Sequence, residues 1–244
     1  MARSMTVHRT VEAGQRTFYE GTWAGQDVVL VLSRIGKVSA AITTMLLLER
    51  FGVTHVIFSG VAGAVDPRLR VGDVVIADGL IQHDMDASPL FPRFEIPLLG
   101  KTQFGAALHE PAEVAAVRYL HEQFSGDVSE AMRAAFGITR PAVFRGLIVS
   151  GDQFVADPVR TAALREALPG ALCTEMEGAA VAQVCHEMGD ISMAVIRIIS
   201  DQADHSAAID FLRFMDDVAE YMTAGIVRAM LENFPGGGDR KAET

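Results

Sequence analysis

The sequence predicts an α/β domain whose sheet is covered on both faces. Three observations point there: short apolar runs rich in β-branched residues recur along the chain, helical periodicities separate several of them, and 50% of the 244 residues are hydrophobic, enough to bury one large core. A strand buried on both faces reads as a continuous apolar run, and alternation of such runs with helices is the pattern of a sheet sandwiched between helices.

In chain order, "QDVVLVL" (26–32) predicts a strand. Lys37–Phe51 follows with apolar residues at Val38, Ile42, Met45, Leu46 and Leu48, the spacing of a helix with one buried face. "THVIFSG" (54–60) and "GDVVIAD" (72–78) predict two more strands. Residues 83–101, "HDMDASPLFPRFEIPLLGK", hold three prolines and no period, which predicts a long irregular excursion, either functional or a subunit contact. "GLIVSG" (146–151) predicts a strand, 158–168 and 178–188 predict helices, "SMAVIRIIS" (192–200) a strand and 209–234 a long amphipathic helix. No repeat or linker divides the chain, so 1–234 reads as one domain and the Gly-rich, charged 235–244 as a mobile tail.

A net charge of -10 argues against nucleic acid and anionic membrane as partners, since both select basic surfaces. A small molecule is the expected partner. The N-terminal stretch has no apolar leader segment, and no run approaches the ~18 residues that span a bilayer. Cys173 and Cys185 lack metal or redox spacing and sit in apolar surroundings, as reduced core residues of a cytoplasmic protein do.

In α/β sheets ligands bind beyond the carboxyl ends of strands, so the polar and glycine residues at strand exits are the candidates. Gly60-Val61-Ala62-Gly63 could let a backbone approach a ligand or simply make a tight turn. Phe154 and Val155 follow "SGDQ" and could stack on a ligand or fill the core. Glu175 and Glu177 flank Met176 where a strand gives way to a helix. A carboxylate at a helix N-terminus feels the positive end of the dipole, stays ionised and accepts hydrogen bonds from a vicinal diol such as ribose; the bland alternative is a cap for Glu177 and a solvated face for Glu175. Asp201, after Ser200, leaves a run whose only charge is Arg197, so desolvation would raise its pKa and suit it to general acid work, unless it caps a turn. Neither a nucleophile elbow nor a zinc motif is present, and His83-Asp84 with Asp86 lacks a further ligand at diagnostic spacing, so no metal is expected.

Taken in order, "SRIGKVSAA", "SGVAGAVDPRLRVGDVV", "RGLIVSGDQFV", "EMEGAAVAQV" and "RIISDQAD" resemble the 5'-methylthioadenosine/S-adenosylhomocysteine nucleosidase family of the nucleoside phosphorylase superfamily, over 18–231. The resemblance implies a mixed-sheet, three-layer α/β sandwich, usually a homodimer, that hydrolyses the N-glycosidic bond of its nucleosides to adenine and a thioribose without cofactor or metal. It implies that Asp201 protonates or hydrogen-bonds adenine N7 and that Ser200 helps orient the base. Glu177 would hold the ribose hydroxyls, with Glu175 beside it among the substrate-binding residues; Met176 would pack on the sugar, Phe154 would stack on adenine, the Val155 backbone would read its edge, and Gly63 would line the sugar side.

Two departures qualify the resemblance. Counting back without gaps from "RTFYEG" and "SRIGKV", the family's first strand and its water-activating glutamate fall before Met1, and Glu12 is not the equivalent; the expectation is a downstream start of a longer product. Arg34 stands where the family commonly has glycine, and could bind phosphate, the co-substrate of the sister phosphorylases, or be a surface arginine. A purine nucleoside phosphorylase and a weakly hydrolysing purine-nucleoside binding protein are the alternatives.

Overall fold

A computed structural model describes residues 1, 4–201 and 213–234. The strands β1 (Thr6–Ala13), β2 (Arg16–Trp23) and β3 (Gln26–Val31) form a separate antiparallel sheet. Its two connections, Gly14-Gln15 and Ala24-Gly25, are hairpin loops in which all four residues have positive φ, from 50° to 80°. Two-residue hairpins require that left-handed backbone because it matches the strand twist. Gln15 and Ala24 adopt it without being glycine or asparagine, so β1 and β2 carry a weak sequence signature and were not among the predicted strands. Glu12 lies in β1, where it accepts from Thr17 Oγ1 at 2.6 Å.

The helix α1 (Lys37–Phe51) has the predicted bounds. Beyond it come β4 (His55–Ala64), β5 (Val74–Gln82), β6 (Phe104–Gly105), the helices α2 (His109–Glu122), α3 (Phe124–Asp127) and α4 (Glu130–Ala135), then β7 (Val143–Ser150), α5 (Pro158–Ala167), β8 (Ala171–Glu175), α6 (Gly178–Glu187) and β9 (Ser192–Asp201). A π-helical turn, Met215–Ala219, leads into α7 (Glu220–Glu232). The part of the expected long helix before residue 213, and the tail 235–244, lie outside the described residues.

The second sheet has the order β6-β5-β7-β8-β4-β9, and β9 returns to pair with β5, so it closes on itself like a barrel. It is mixed: β4 with β9, β5 with β7 and β7 with β8 run parallel, while β4 with β8 and β5 with β9 run antiparallel. Residues of β5 and β9 alternate between two cores, because successive strand side chains point to opposite faces. Val75, Ala77 and Val195 pack with Ala40 of α1 and Ala179 and Cys185 of α6. Val74, Ile76, Ala194, Ile196 and Ile198 pack with Ala116 and Tyr119 of α2 and Met222 and Ile226 of α7. The expected three layers are therefore present, with the middle layer curled. Residues 83–101 form the expected irregular excursion, tied back by an Ile96–Lys101 bridge.

Candidate active site

Strand register brings the predicted exits into one row. Gln82 of β5 pairs with Ser150 of β7, and Ser150 with Glu175 of β8. Gly63 of β4 pairs with Thr174 of β8 on one side and with Asp201 of β9 on the other. Neighbouring strands lie about 4.8 Å apart, so Asp201 and Thr174 are about 10 Å from each other across Gly63. Glu177 follows Thr174 by one short turn. Gly63 is thus central to the row, but not as part of a turn: β4 continues through Ala64, which corrects the tight-turn reading of Gly60-Val61-Ala62-Gly63. What comes close to Gly60 is the side chain of Arg197, whose Nη1 would lie 3.3 Å from an added Cβ.

Arg197 organises the end of β8. It is the single charge in β9 before Asp201 and is buried with Glu175, their side chains 1% and 2% exposed. Two ions taken out of water need each other and a full set of hydrogen bonds. Arg197 Nη2 and Nε donate to Glu175 Oε2 at 2.5 and 3.2 Å, Nη1 donates to the Ile196 carbonyl at 3.2 Å, and the guanidinium lies 4.4 Å from the centre of the Phe58 ring. The Glu175 carboxylate also accepts from Ser150 Oγ and from the backbone N–H groups of Glu177 and Gly178 at 3.1 and 2.8 Å. Ser150 Oγ accepts in turn from Ala179 N at 2.7 Å.

The start of α6 is therefore capped by Glu175 and Ser150, and two expectations change. Glu175 has no solvated face: it is buried, and its oxygens are engaged by five donors, so it positions its neighbours. Glu177 occupies the cap position, yet its side chain caps nothing in its own helix. Its Oε1 instead accepts from Gly36 N at 2.9 Å, at the start of α1. Gly36 has φ 93°, open to glycine, and an added Cβ would meet Asp152 Oδ1 at 3.2 Å. The helix dipole is not the dominant influence on the Glu177 carboxyl. Burial, then the charge of Glu175, pushes the Glu177 carboxyl above the ordinary range, against the opposing pull of Arg197 and the Gly36 N–H.

Asp201 is buried at the end of β9, and Ser200 Oγ donates to its Oδ2 at 2.6 Å. Gln202 and the residues to 212 lie outside the described residues. Phe154 is half-exposed and Val155 buried in the segment after β7, and Met176 is half-buried between the two glutamates. Arg34 Nη2 donates to the Gln15 carbonyl in the β1–β2 turn, which supports the surface-arginine reading over a phosphate contact. Among the described residues no group of three or more His, Cys, Asp or Glu is placed to hold a metal ion.

The model of the phosphorylase superfamily matches residues 3–232. The 5'-methylthioadenosine/S-adenosylhomocysteine nucleosidase of Shewanella frigidimarina is 38% identical over 205 residues, covering 84% of this chain and 80% of that one. The chain belongs to this nucleosidase family of the phosphorylase superfamily. Solved structures agree. The nucleosidase of Neisseria meningitidis in complex with methylthio-immucillin-A superposes with a TM-score of 0.81 at 33% identity, covering 95% of this chain and 92% of that one. That of Colwellia psychrerythraea in complex with adenine gives 0.79 at 32% identity, covering 94% and 87%.

Arg197, Ser150 and Gly36 were not singled out as partners from the sequence. The first left a signal: a lone arginine in an apolar run needs a buried acid, and Glu175 is the acid at the end of another buried strand.

Proposed function

We propose that the chain hydrolyses the N-glycosidic bond of 5'-methylthioadenosine and S-adenosylhomocysteine, releasing adenine and a thioribose. The observation that carries this reading is the row across β8, β4 and β9, with Glu177 beyond one end and Asp201 at the other, on either side of Gly63. A nucleoside fits that arrangement with its base toward Asp201 and its sugar toward Glu177. Asp201 supplies a proton to adenine N7, so that the C–N bond breaks with the base leaving as a neutral molecule while positive charge develops on the sugar; water then bonds to that sugar carbon, and the proton it sheds balances the one Asp201 gave. Ser200 orients that carboxyl. Glu177 accepts from the ribose hydroxyls, and burial strengthens those hydrogen bonds. Phe154 provides a half-exposed ring for adenine, the Val155 backbone its edge contacts, and Met176 an apolar surface beside the sugar. Glu175 contributes by holding Glu177 and α6 in place.

The test is adenine release from methylthioadenosine with and without phosphate. Free thioribose in both conditions is expected; a sugar 1-phosphate would make the chain a phosphorylase. Asp201→Asn should lower turnover by roughly 10²–10⁴, the usual worth of general acid help, with the melting temperature unchanged. Adenine release by that variant at the parent rate would refute the assignment.

The chain acts as a homodimer in this reading. Ile35, Val38 and Ile42 expose 74%, 70% and 45% of their surface along the start of α1, beside Leu32 at 80%. A contiguous apolar stripe of this kind marks an interaction face, and a second copy covers it. Sedimentation equilibrium should return twice the chain mass, and Val38→Glu should shift it toward the monomer. A monomeric parent chain at micromolar concentration would remove the proposal. Buried, unpaired Cys173 and Cys185 fit a reducing cytoplasm.

A further inference from the structure

We infer that Lys37 is a positioning residue that locks the sugar-holding and base-holding sides of the site into one frame, a role that rests on the nucleosidase reading above. Lys37 is the first residue of α1, and both its backbone and its side chain are engaged. Its N–H donates to Asp152 Oδ1 at 2.8 Å, and its ammonium donates to Asp84 Oδ1 at 2.6 Å and Gln82 Oε1 at 3.0 Å. Asp84 Oδ2 accepts from the backbone N–H of Asp152 at 2.9 Å. The first residue of α1 and one residue each from the segments after β5 and β7 thus close a ring that runs from Lys37 to Asp84, on to Asp152 and back to Lys37.

This ring differs from an ordinary surface ion pair, which water and salt weaken. The Lys37 and Asp84 side chains are only 16% and 18% exposed. Burial alone would raise the Asp84 carboxyl, but the Lys37 ammonium and the Asp152 N–H hold it below the ordinary range. Charge-assisted bonds in such a setting are short and directional.

The ring adjoins both halves of the site. Gly36, next to Lys37, donates to Glu177 Oε1. Phe154 and Val155 lie two and three residues after Asp152 in the segment after β7. Opening the ring at the Lys37 ammonium or at Asp84 leaves the start of α1 tied to that segment by the Lys37 N–H alone, and so loosens the sugar side against the base side. Cleavage of an N-glycosidic bond needs base and sugar held in one relative geometry, and misplacement by about 1 Å can cost roughly 10²-fold in rate. Lys37 touches no reacting atom; its effect passes through Gly36 and Asp152.

The experiment compares Lys37→Met, Asp84→Asn and the double variant with the parent chain. It measures kcat and KM for methylthioadenosine, melting temperature, and hydrogen exchange of the Asp152 amide. Each single variant should lower kcat/KM by about tenfold or more, with the melting temperature within a few degrees of the parent. The double variant should lose no more than the worse single one, because both changes open the same ring. The Asp152 amide should exchange about tenfold faster or more in Lys37→Met. Retention of kcat/KM within about twofold in Lys37→Met, or losses that multiply in the double variant, overturns the inference; so does a fall in melting temperature with kcat and KM unchanged, which marks a merely structural lysine. A parent chain that releases no adenine refutes the nucleosidase reading instead, and the Asp152 amide then decides for the ring: faster exchange in Lys37→Met supports it, and unchanged protection overturns it.

Discussion

The end of β8 and the cap of α6, two residues apart, hold their carboxylates in opposite ways. Glu175 faces inward onto the Arg197 guanidinium and three further donors on Ser150, Glu177 and Gly178, so its charge is matched within the protein. Glu177 takes a hydrogen bond from Gly36 at the start of α1, and burial raises its pKa. The same side-chain chemistry is structural in the first place and fit for a ligand in the second. What separates them is how many donors the fold supplies, because a desolvated carboxylate short of donors gains from any hydroxyl that reaches it.

The largest expected effect breaks the inner half of that contrast. Glu175→Gln leaves Arg197 without a counter-charge at a position almost sealed from water. Removing one partner of a buried pair typically costs about 3–5 kcal/mol, most of it the penalty on the charge left behind. For a chain of this length that corresponds to a melting temperature lower by roughly 6–20 °C. Thermal unfolding followed by circular dichroism checks it, and an unchanged midpoint would mean that the pair does not hold the end of β8. Replacing both residues by apolar ones of similar volume should recover part of the loss, since no buried charge then remains.

The sequence made the outer half of the contrast easier to find than the inner half. Glu177, Asp201, Phe154 and Val155 sit beside strands whose apolar runs are continuous and therefore visible, and α1 was bounded by its own periodicity. The supports are different in kind. Pairing of Arg197 with Glu175, or of Gly36 with Glu177, joins residues more than twenty positions apart, and depends on β8 lying between β7 and β4 in a sheet that closes. No local pattern encodes that order. β3 is legible in the sequence, but β1, β2 and the two hairpin turns are not, because Gln15 and Ala24 take left-handed backbone that their side chains do not advertise. The direction of the Glu177 shift is likewise not local: a helix N-terminus is readable from the sequence, whereas the burial and the neighbouring Glu175 charge that raise this carboxyl are set by the packed fold.

The outer half is sharpened by Glu177→Gln, which should act on activity and stability with opposite signs. Hydrogen bonds to a charged acceptor contribute about 1.5–3 kcal/mol, so under the proposed role of Glu177 toward the ribose hydroxyls, losing its charge should lower kcat/KM by roughly 10–100-fold. Stability should move the other way. A carboxyl whose pKa is raised by folding favours the protonated form in the fold; its contribution is fully present below the ordinary glutamate value of about 4.3, and is lost as pH rises through the raised value. Glutamine does not titrate and keeps an oxygen for Gly36 N–H. The melting temperature of the variant relative to the parent should therefore climb as pH is raised from about 4 and level off above the raised pKa. Parallel melts across that range, together with kcat/KM at neutral pH, test both signs at once. A relative melting temperature that falls with pH would show the ionised Glu177 to be stabilised by the α6 dipole after all, and the distinction between the two glutamates would collapse.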